Sequence, residues 1–146
     1  MRPNPPVRSD YRAFRSISTR WMDNDVYGHV NNAIYYSFFD TVVSGWLVEH
    51  GIVDYERGQT IGLAVDSQCS YYAPIAFPDQ ITGGMCVRRI GTSSVKYAVG
   101  IFRKDEDQAA ASGTFTHVYV DRETRRPVPL PQETRSILET VLIAGT

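Results

Sequence analysis

The chain carries no excess of charge of either sign and contains no long uninterrupted apolar run. Its 146 residues include 15 Lys and Arg against 16 Asp and Glu, which gives a formal net charge of −1. Nucleic acids and anionic membrane surfaces bind proteins with a basic excess, so this balance argues against both as main partners. The longest apolar stretch, residues 33–48, contains Asp40 and is shorter than the ~20 residues that span a bilayer. A soluble protein is therefore expected.

Cysteine is also scarce, since only Cys69 and Cys86 are present. Two cysteines cannot form a disulfide framework or a cysteine-based zinc site. Both lie in strand-like runs, so buried free thiols are expected, with a single disulfide as the alternative. The polar, proline-rich start has no apolar segment behind it, so no secretory signal is expected and the predicted location is cytoplasmic. The composition predicts one domain over residues 1–146, with residues 1–9 as a mobile arm.

Hydrophobic periodicity predicts an α+β fold. A first strand is predicted over residues 11–21, and a helix of about five turns over residues 31–50, which Asn31 and Asn32 begin and Gly51 ends. The remainder of the chain alternates with the period of strands and closes with a short helix. These elements are predicted at residues 61–71, 80–90, 94–103 and 109–120 for the strands, and 132–142 for the helix.

The predicted long helix is apolar around most of its circumference. Its large apolar residues are Ile34, Tyr35, Phe38, Phe39, Val42, Val43, Trp46 and Leu47. Such a helix is normally surrounded by protein, and Gly45 within it indicates close packing. Short connections between successive later strands predict antiparallel neighbours. We therefore predict a hotdog fold, in which one curled antiparallel sheet of about five strands wraps around a long central helix.

Residues 23–29 bring two carboxylates and a histidine together just before the helix. A calcium loop is excluded because its fifth and twelfth positions would be Tyr27 and Ile34. A transition-metal site would need a further ligand that no HxxxH or CxxC pattern supplies, so no metal is predicted. Two interpretations remain open from the residues alone. The carboxylates either satisfy the amides of a turn or take part in catalysis.

The catalytic interpretation has a specific physical basis. The first turn of a helix presents N–H groups without intrahelical partners, and these stabilise an oxygen that becomes negative as a carbonyl is attacked. A nearby carboxylate either attacks that carbonyl or deprotonates a water molecule that does. A thioester suits this arrangement because its thiolate leaves without a strong general acid.

Residues 23–35 read D-N-D-V-Y-G-H-V-N-N-A-I-Y and closely resemble the D-x-D-x-x-G-H-V-N-N-x-x-Y signature of hotdog thioesterases of the 4-hydroxybenzoyl-CoA type. The resemblance extends over about residues 10–135. Residues 71–74 with Asp79 resemble the Y-x-x-P…D segment of that family, and residues 91–94 its strand-turn-strand. Residues 120–121 and 127–131 resemble its closing stretch.

The resemblance assigns roles to the residues that match the signature. It implies that Asp25 is the catalytic carboxylate and that the backbone N–H of Asn32 polarises the thioester carbonyl. Asp23 is expected to hold the loop. The expected loop-bracing or substrate-lining residues are Tyr27, Gly28, His29, Asn31, Ser93 and Ser94.

The resemblance further implies hydrolysis of an acyl-CoA to a free acid and coenzyme A. No metal or redox cofactor is expected, and coenzyme A takes part only as a portion of the substrate. A homodimer or homotetramer with active sites at subunit interfaces is expected. The alternatives are an acyl carrier protein thioesterase, a non-catalytic acyl-CoA-binding module and a hotdog hydratase. No single phosphate-binding residue is chosen among Arg88, Arg89, Arg103, Lys104, Arg122, Arg125 and Arg126. His117, which alternates with Phe115 and Tyr119, is predicted to be a packed or interface residue.

Overall fold

A computed structural model describes residues 4–54 and 56–144 of the chain. The strands are β1 (Ala13–Ser18), β2 (Thr60–Tyr71), β3 (Gln80–Ile90), β4 (Ser94–Arg103) and β5 (Ala111–Asp121), and the α-helices are α1 (Ile34–Glu49) and α2 (Gln132–Glu139). Short 3₁₀ helices cover Arg8–Asp10 and Trp21–Asp23. The predicted ranges 80–90 and 94–103 match β3 and β4 residue for residue. In the described part of the chain, no helix is long and apolar enough to cross a membrane.

The five strands form one sheet in the order β1-β3-β4-β5-β2, and every neighbouring pair is antiparallel. A three-residue turn joins β3 to β4 and a seven-residue connection joins β4 to β5, and both pairs are antiparallel neighbours as predicted. The prediction that successive strands pair does not extend to β2, which pairs with β5 along its whole length. The connection between β2 and β3 carries the chain from one side of the sheet to the other. One curled sheet around a long helix confirms the predicted hotdog fold.

The core lies between α1 and the concave face of the sheet. Phe39 and Val43 of the helix are almost fully buried there. Glycines in the strands let the helix approach closely, because Val42 lies against Gly83 and the ring of Phe39 against Gly113. A Cβ on Gly45 would come within 2.5 Å of the Arg15 side chain, which confirms the close packing predicted there.

The prediction that α1 is surrounded on all sides is wrong for the single chain. Seven of its residues are buried, but an open face remains along Tyr36, Ser37, Asp40 and Thr41. Tyr36 is 40% exposed. A five-stranded sheet curls around only part of a helix, so one side of α1 stays uncovered beside β2.

Residues 6–8 of the predicted mobile arm contact the sheet, whereas residues 1–3 lie outside the described residues. The backbone N–H of Ala109 donates to Pro6 at 2.8 Å, and Val7 forms a bridge with Gln108. The Arg8 guanidinium lies 4.9 Å from the centre of the Phe102 ring and donates to two backbone carbonyls of the β4–β5 turn. Cation–π and hydrogen-bond contacts therefore fasten this segment to the convex face of the sheet.

Candidate active site

The segment before α1 folds back on itself as a short hairpin. The backbone N–H of Asp25 donates to the carbonyl of His29 at 2.9 Å, and that of Asn31 donates to Asp23 at 2.9 Å. The turn places Gly28 at φ +80°, a left-handed conformation in which glycine carries no Cβ penalty. These bonds give residues 23–31 a defined shape next to the helix.

Asp23 anchors this hairpin from inside the protein. It is fully buried, and its carboxylate accepts the backbone N–H of Arg20 at 2.8 Å and two guanidinium N–H groups of the same residue at 3.1 and 2.8 Å. A buried carboxylate needs such partners because desolvation of an unpaired charge is costly. All of its contacts are internal, which agrees with the loop-holding role expected for it.

Asp25 lies on the outer side of the hairpin and is only half-buried. Its Oδ1 accepts the backbone N–H of Tyr27 at 2.8 Å, so the side chain forms an Asx turn. Oδ2 accepts no hydrogen bond from any described residue. The carboxylate lines an open cleft of about 540 Å³ whose walls include Trp21, Met22 and Val26. These three apolar side chains are 74%, 71% and 94% exposed.

The N–H group of Asn32 is available at the start of α1. The side chain of Asn31 accepts the N–H of Ala33 at 3.0 Å, and the Asn31 carbonyl accepts that of Ile34 at 2.9 Å. Asn31 thus forms an Asx turn just before the helix, whereas the N-cap position itself is Ala33, so the prediction that Asn31 and Asn32 begin the helix is wrong by two to three residues. Within residues 4–54 and 56–144, the N–H of Asn32 donates to no acceptor. It is therefore an unpaired donor at the positive end of the helix.

A second cleft, of about 420 Å³, opens at this N–H group. It is lined by His29, Val30, Asn32, Tyr35, Tyr71, Tyr72, Ala73 and Pro74. The Tyr71 hydroxyl donates to the carbonyl of Asn32 at 2.8 Å, and its ring meets that of Tyr35 edge-on at 5.0 Å. Burial raises the pKa of Tyr35 to about 12, and burial together with Cys69 raises the pKa of Tyr71. Both phenols therefore stay protonated at neutral pH.

Two further bonds join the hairpin to the segment that follows β2. The N–H of Val30 donates to Ile75 at 2.7 Å, and the N–H of Phe77 donates to the Asn24 side chain at 3.0 Å. The hairpin, the helix start and residues 71–77 thus form one connected unit.

The predicted site residues are only partly brought together in the single chain. His29 and Asn32 share the second cleft, whereas Asp25 and Gly28 line the first, on the other side of the hairpin turn. Tyr27 is 83% exposed and lines neither cleft.

Ser93 and Ser94 lie at the opposite end of the sheet, because Ser94 begins the ten-residue strand β4, and Arg103 at its other end donates to Pro74 beside the hairpin. At ~3.3 Å per residue, β4 separates them from that end by roughly 30 Å. They therefore do not join Asp25 within one chain.

The remaining candidates have mostly structural contacts. Arg103 donates to the Pro74 carbonyl at 2.9 Å and pairs with Glu106. Cys69 and Cys86 are both free, as expected, but only Cys86 is buried, whereas Cys69 is half-buried. His117 is packed against the rings of Tyr97 and Phe115, which confirms the packed alternative predicted for it.

The hydroxyl of Tyr71 is the contact that the sequence did not reveal. The Y-x-x-P pattern marked the residue, but only the fold shows that its side chain holds the first turn of α1. The exposed apolar residues Trp21, Met22 and Val26 were also not predicted as part of the site. The sequence signal that could have identified them is their position next to a candidate catalytic carboxylate.

The sequence profile of the thioesterase-like superfamily matches residues 19–138, which include the hairpin, the helix and the whole sheet apart from β1. The chain belongs to the thioesterase-like superfamily. Membership in this superfamily supports thioester hydrolysis as the class of activity.

Three individual proteins are similar to this chain. The crystal structure of the PA5185 protein from Pseudomonas aeruginosa is 48% identical, covers 97% of this chain and 99% of its own, and superimposes with a TM-score of 0.93. The YsmA protein of Bacillus subtilis is 21% identical over 131 residues, 90% of this chain and 88% of YsmA. A 1,4-dihydroxy-2-naphthoyl-CoA thioesterase from Synechocystis is 16% identical, covers 86% of this chain and 93% of its own, and has a TM-score of 0.77. At that identity the likeness shows the fold alone.

Proposed function

We propose that this superfamily member is an acyl-CoA thioesterase of the 4-hydroxybenzoyl-CoA type, which hydrolyses an acyl-CoA to a free carboxylic acid and coenzyme A. The observation that carries the proposal is the unpaired N–H of Asn32, which opens into a cleft beside the Asp25 hairpin. An N–H group at a helix start stabilises the oxyanion that forms when a thioester carbonyl is attacked.

Asp25 supplies the carboxylate in this proposal. As a general base, it takes a proton from water while the water oxygen bonds to the thioester carbon. The C–S bond then breaks, and the thiolate of coenzyme A takes up the proton. As a nucleophile, Asp25 would instead form a mixed anhydride that water cleaves. Neither route needs a metal or a redox cofactor.

The two routes differ in the fate of oxygen. In a single turnover in ¹⁸O-water, an anhydride intermediate that water cleaves at the Asp25 carbonyl leaves ¹⁸O in that carboxylate, whereas the general-base route places all of it in the product acid. Label in the peptide that contains Asp25, detected by mass spectrometry, would establish the anhydride route, whereas label in the product acid alone fits both a general base and attack of water at the acyl carbonyl of the anhydride.

The activity itself is tested by an Asp25→Asn variant in an assay of free-thiol release from a series of acyl-CoAs. The amide still accepts the Tyr27 N–H, so the hairpin is retained while the charge is removed. Loss of a catalytic carboxylate lowers kcat by at least ~10²-fold. Asp105→Asn is the matched control, because Asp105 is an exposed carboxylate in the β4–β5 turn. Near-normal turnover by Asp25→Asn would remove Asp25 from its proposed role.

We also propose that two copies pair through β2. This strand lies at the edge of the sheet, and residues 64–68 are exposed on both of its faces. A twelve-residue edge with free backbone groups favours pairing with another strand. In an antiparallel pair of β2 strands, the second copy runs in the opposite direction to the first. The β3–β4 turn of the second copy, with Ser93 and Ser94, then lies at the same end of the joined sheet as the hairpin of the first.

Light scattering tests this assembly. The wild-type chain should have the mass of a dimer or of a tetramer built from dimers. Val65→Glu, at a 60% exposed position on β2, places like charges close together in the self-paired edge and should release monomers with reduced turnover. A monomeric and fully active wild-type chain would contradict the assembly.

A non-catalytic acyl-CoA-binding module is the second candidate, and the separate clefts of Asp25 and Asn32 in the single chain favour it. It predicts saturable binding of acyl-CoA without release of free thiol. An acyl carrier protein thioesterase is the remaining alternative. Comparing the turnover of the same acyl group on coenzyme A and on acyl carrier protein distinguishes the two.

A further inference from the structure

A hydrogen bond within its own turn holds the Asp25 carboxylate. In the described part of the chain, its hydrogen-bond donor is the backbone N–H of Tyr27, at 2.8 Å. This bond fixes the side chain relative to the hairpin, but it does not fix the hairpin relative to the start of α1. The direction in which the carboxylate points therefore depends on the contacts that fasten the hairpin to the rest of the chain.

Residues 23–25 form the first arm of the hairpin, and a side chain fastens this arm to the segment that follows β2. The side-chain oxygen of Asn24 accepts the backbone N–H of Phe77 at 3.0 Å. The ring of Phe77 also meets that of Trp21 edge-on, with 6.1 Å between the ring centres. Because Asn24 precedes Asp25, the hydrogen bond fastens the arm at the residue next to the candidate catalytic carboxylate.

The backbone of Asn24 is fixed as well as its side chain. It forms an antiparallel bridge with Val30, and its N–H donates to the Trp21 carbonyl at 3.3 Å. This backbone is extended, with φ −74° and ψ 143°, and neighbouring side chains of an extended chain leave it on opposite sides. With the Asn24 amide directed to Phe77, the Asp25 side chain is directed away from that segment and lines the open cleft beside the hairpin.

The chemistry of residue 24 suits its position between two carboxylates. Asp23 is buried and paired with Arg20, whereas Asp25 is half-buried. A carboxylate at residue 24 would also accept the Phe77 N–H, but it would add a negative charge next to Asp25 and oppose its ionisation. An amide oxygen accepts the same hydrogen bond without a charge. The asparagine therefore combines an acceptor with neutrality at this point of the hairpin.

We propose that Asn24 is a positioning residue for thioester hydrolysis. Through the Phe77 N–H, its side chain keeps the first arm in the orientation from which the Asp25 carboxylate acts on a carbonyl at the Asn32 N–H. This inference rests on the proposed acyl-CoA thioesterase function. Asn24 acts through Asp25 and does not contact the reacting atoms. Its loss should lower kcat and leave KM nearly unchanged, because the orientation of a catalytic group contributes to the chemical step.

Two variants of similar size separate the acceptor from the volume of the side chain. Asn24→Leu has no acceptor and should lower kcat for an acyl-CoA by roughly 10-fold, with KM within about two-fold of the wild type, because misplacing a catalytic group costs up to ~10²-fold. Asn24→Asp retains the acceptor and should recover kcat to within about three-fold of the wild type at alkaline pH, where both carboxylates are ionised. As the pH is lowered, its kcat should decline earlier than that of the wild type, because adjacent like charges favour protonation.

The amide proton of Tyr27 reports on the carboxylate without any turnover, because it donates to Asp25 Oδ1. In the wild-type chain, its ¹H–¹⁵N signal should shift as the carboxylate is protonated at low pH, and Asn24→Leu should lose most of that shift. Gln80→Leu is the matched control for both measurements. Gln80 is an exposed amide outside the hairpin, and its oxygen accepts one hydrogen bond, from Ser18 at 3.4 Å. This control should keep the wild-type kcat and the pH-dependent shift.

An unchanged kcat in Asn24→Leu, or the same loss of kcat in Asn24→Leu and Asn24→Asp, would overturn the role of Asn24 while the thioesterase function stands. A loss of kcat equal to the unfolded fraction measured by circular dichroism would also overturn it. Absence of wild-type turnover for every acyl-CoA would overturn the proposed function and this role with it. If Asn24→Leu does not fold, Asn24→Gln replaces it, because its amide lies one methylene further from the backbone and should cause the same loss of kcat.

Discussion

Replacement of Asp23 by alanine should destabilise the protein, because it removes the anchor of the hairpin. The carboxylate accepts three N–H groups of Arg20, two of which belong to the charged guanidinium. Hydrogen bonds to charged groups contribute ~1.5–3 kcal/mol each when both partners are desolvated. The Arg20 side chain is 59% exposed, so water will solvate the released guanidinium and the loss is smaller than the sum. We expect a decrease of about 2 kcal/mol in the free energy of unfolding.

Thermal unfolding followed by circular dichroism measures this loss. For a chain of this size, ~2 kcal/mol corresponds to a decrease of roughly 4–8 °C in Tm. Asp25→Ala is the matched control, since Asp25 is more exposed and accepts only one N–H group. The control should unfold within about 1–3 °C of the wild-type chain, because it loses a single solvent-accessible bond. Equal Tm values for Asp23→Ala and the wild type would refute the anchoring role.

Three further predictions concern the hairpin, the helix start and the buried histidine. Gly28→Ala should lower the free energy of unfolding by ~1–2 kcal/mol, because a Cβ is disfavoured at φ +80° even where no atom lies nearby. Chemical denaturation measures this loss, and an unchanged free energy of unfolding would contradict the left-handed turn. Tyr71→Phe should lower kcat/KM by about 2–10-fold, because it removes a hydrogen bond to the Asn32 carbonyl that contributes ~0.5–1.5 kcal/mol. Wild-type kinetics in this variant would exclude a positioning role for Tyr71. Because burial lowers the His117 pKa, the unfolded chain binds more protons below pH ~6.5, so stability should fall as the pH drops, by at most ~1.4 kcal/mol per pH unit. This part of the pH dependence should be absent in His117→Phe, and identical pH profiles would contradict it.

Local patterns predicted β3, β4 and the long helix well because turn-forming residues bound each of these apolar segments. The strand β4 places Val95, Tyr97 and Val99 in the core, and its bounds follow from the turn residues 91–93 before it and the charged residues 104–107 after it. The turns on either side of it are short, so pairing with β3 and β5 followed as well.

Long-range placement was not available from the sequence. Pairing of β2 with β5 depends on how the 72–79 connection crosses the sheet, and no local signal encodes that path. The open face of α1 could not be predicted for the same reason. An apolar residue gives the same sequence pattern whether its own chain or a second copy covers it. The hydrogen bonds that fasten residues 6–8 to the sheet depend on backbone groups, which the side-chain pattern does not report.

The sequence proposed candidate site residues but did not give their geometry. The signature identified Asp25, Asn31 and Asn32, and the structure places all three around the hairpin and the helix start. The signature did not indicate that Asp25 and Asn32 line separate clefts. It also did not indicate that Ser93 and Ser94 lie at the far end of the sheet. Both facts depend on the folded chain, and both make a second copy relevant to the complete site.

The most direct test of the account is a crystal structure of the Asp25→Asn variant with a bound acyl-CoA. The account predicts the thioester carbonyl oxygen about 2.7–3.1 Å from the Asn32 nitrogen, with the residue 25 side chain facing the carbonyl carbon or a water molecule next to it. A thioester bound away from the start of α1, or a residue 25 side chain directed away from it, would contradict the proposed chemistry.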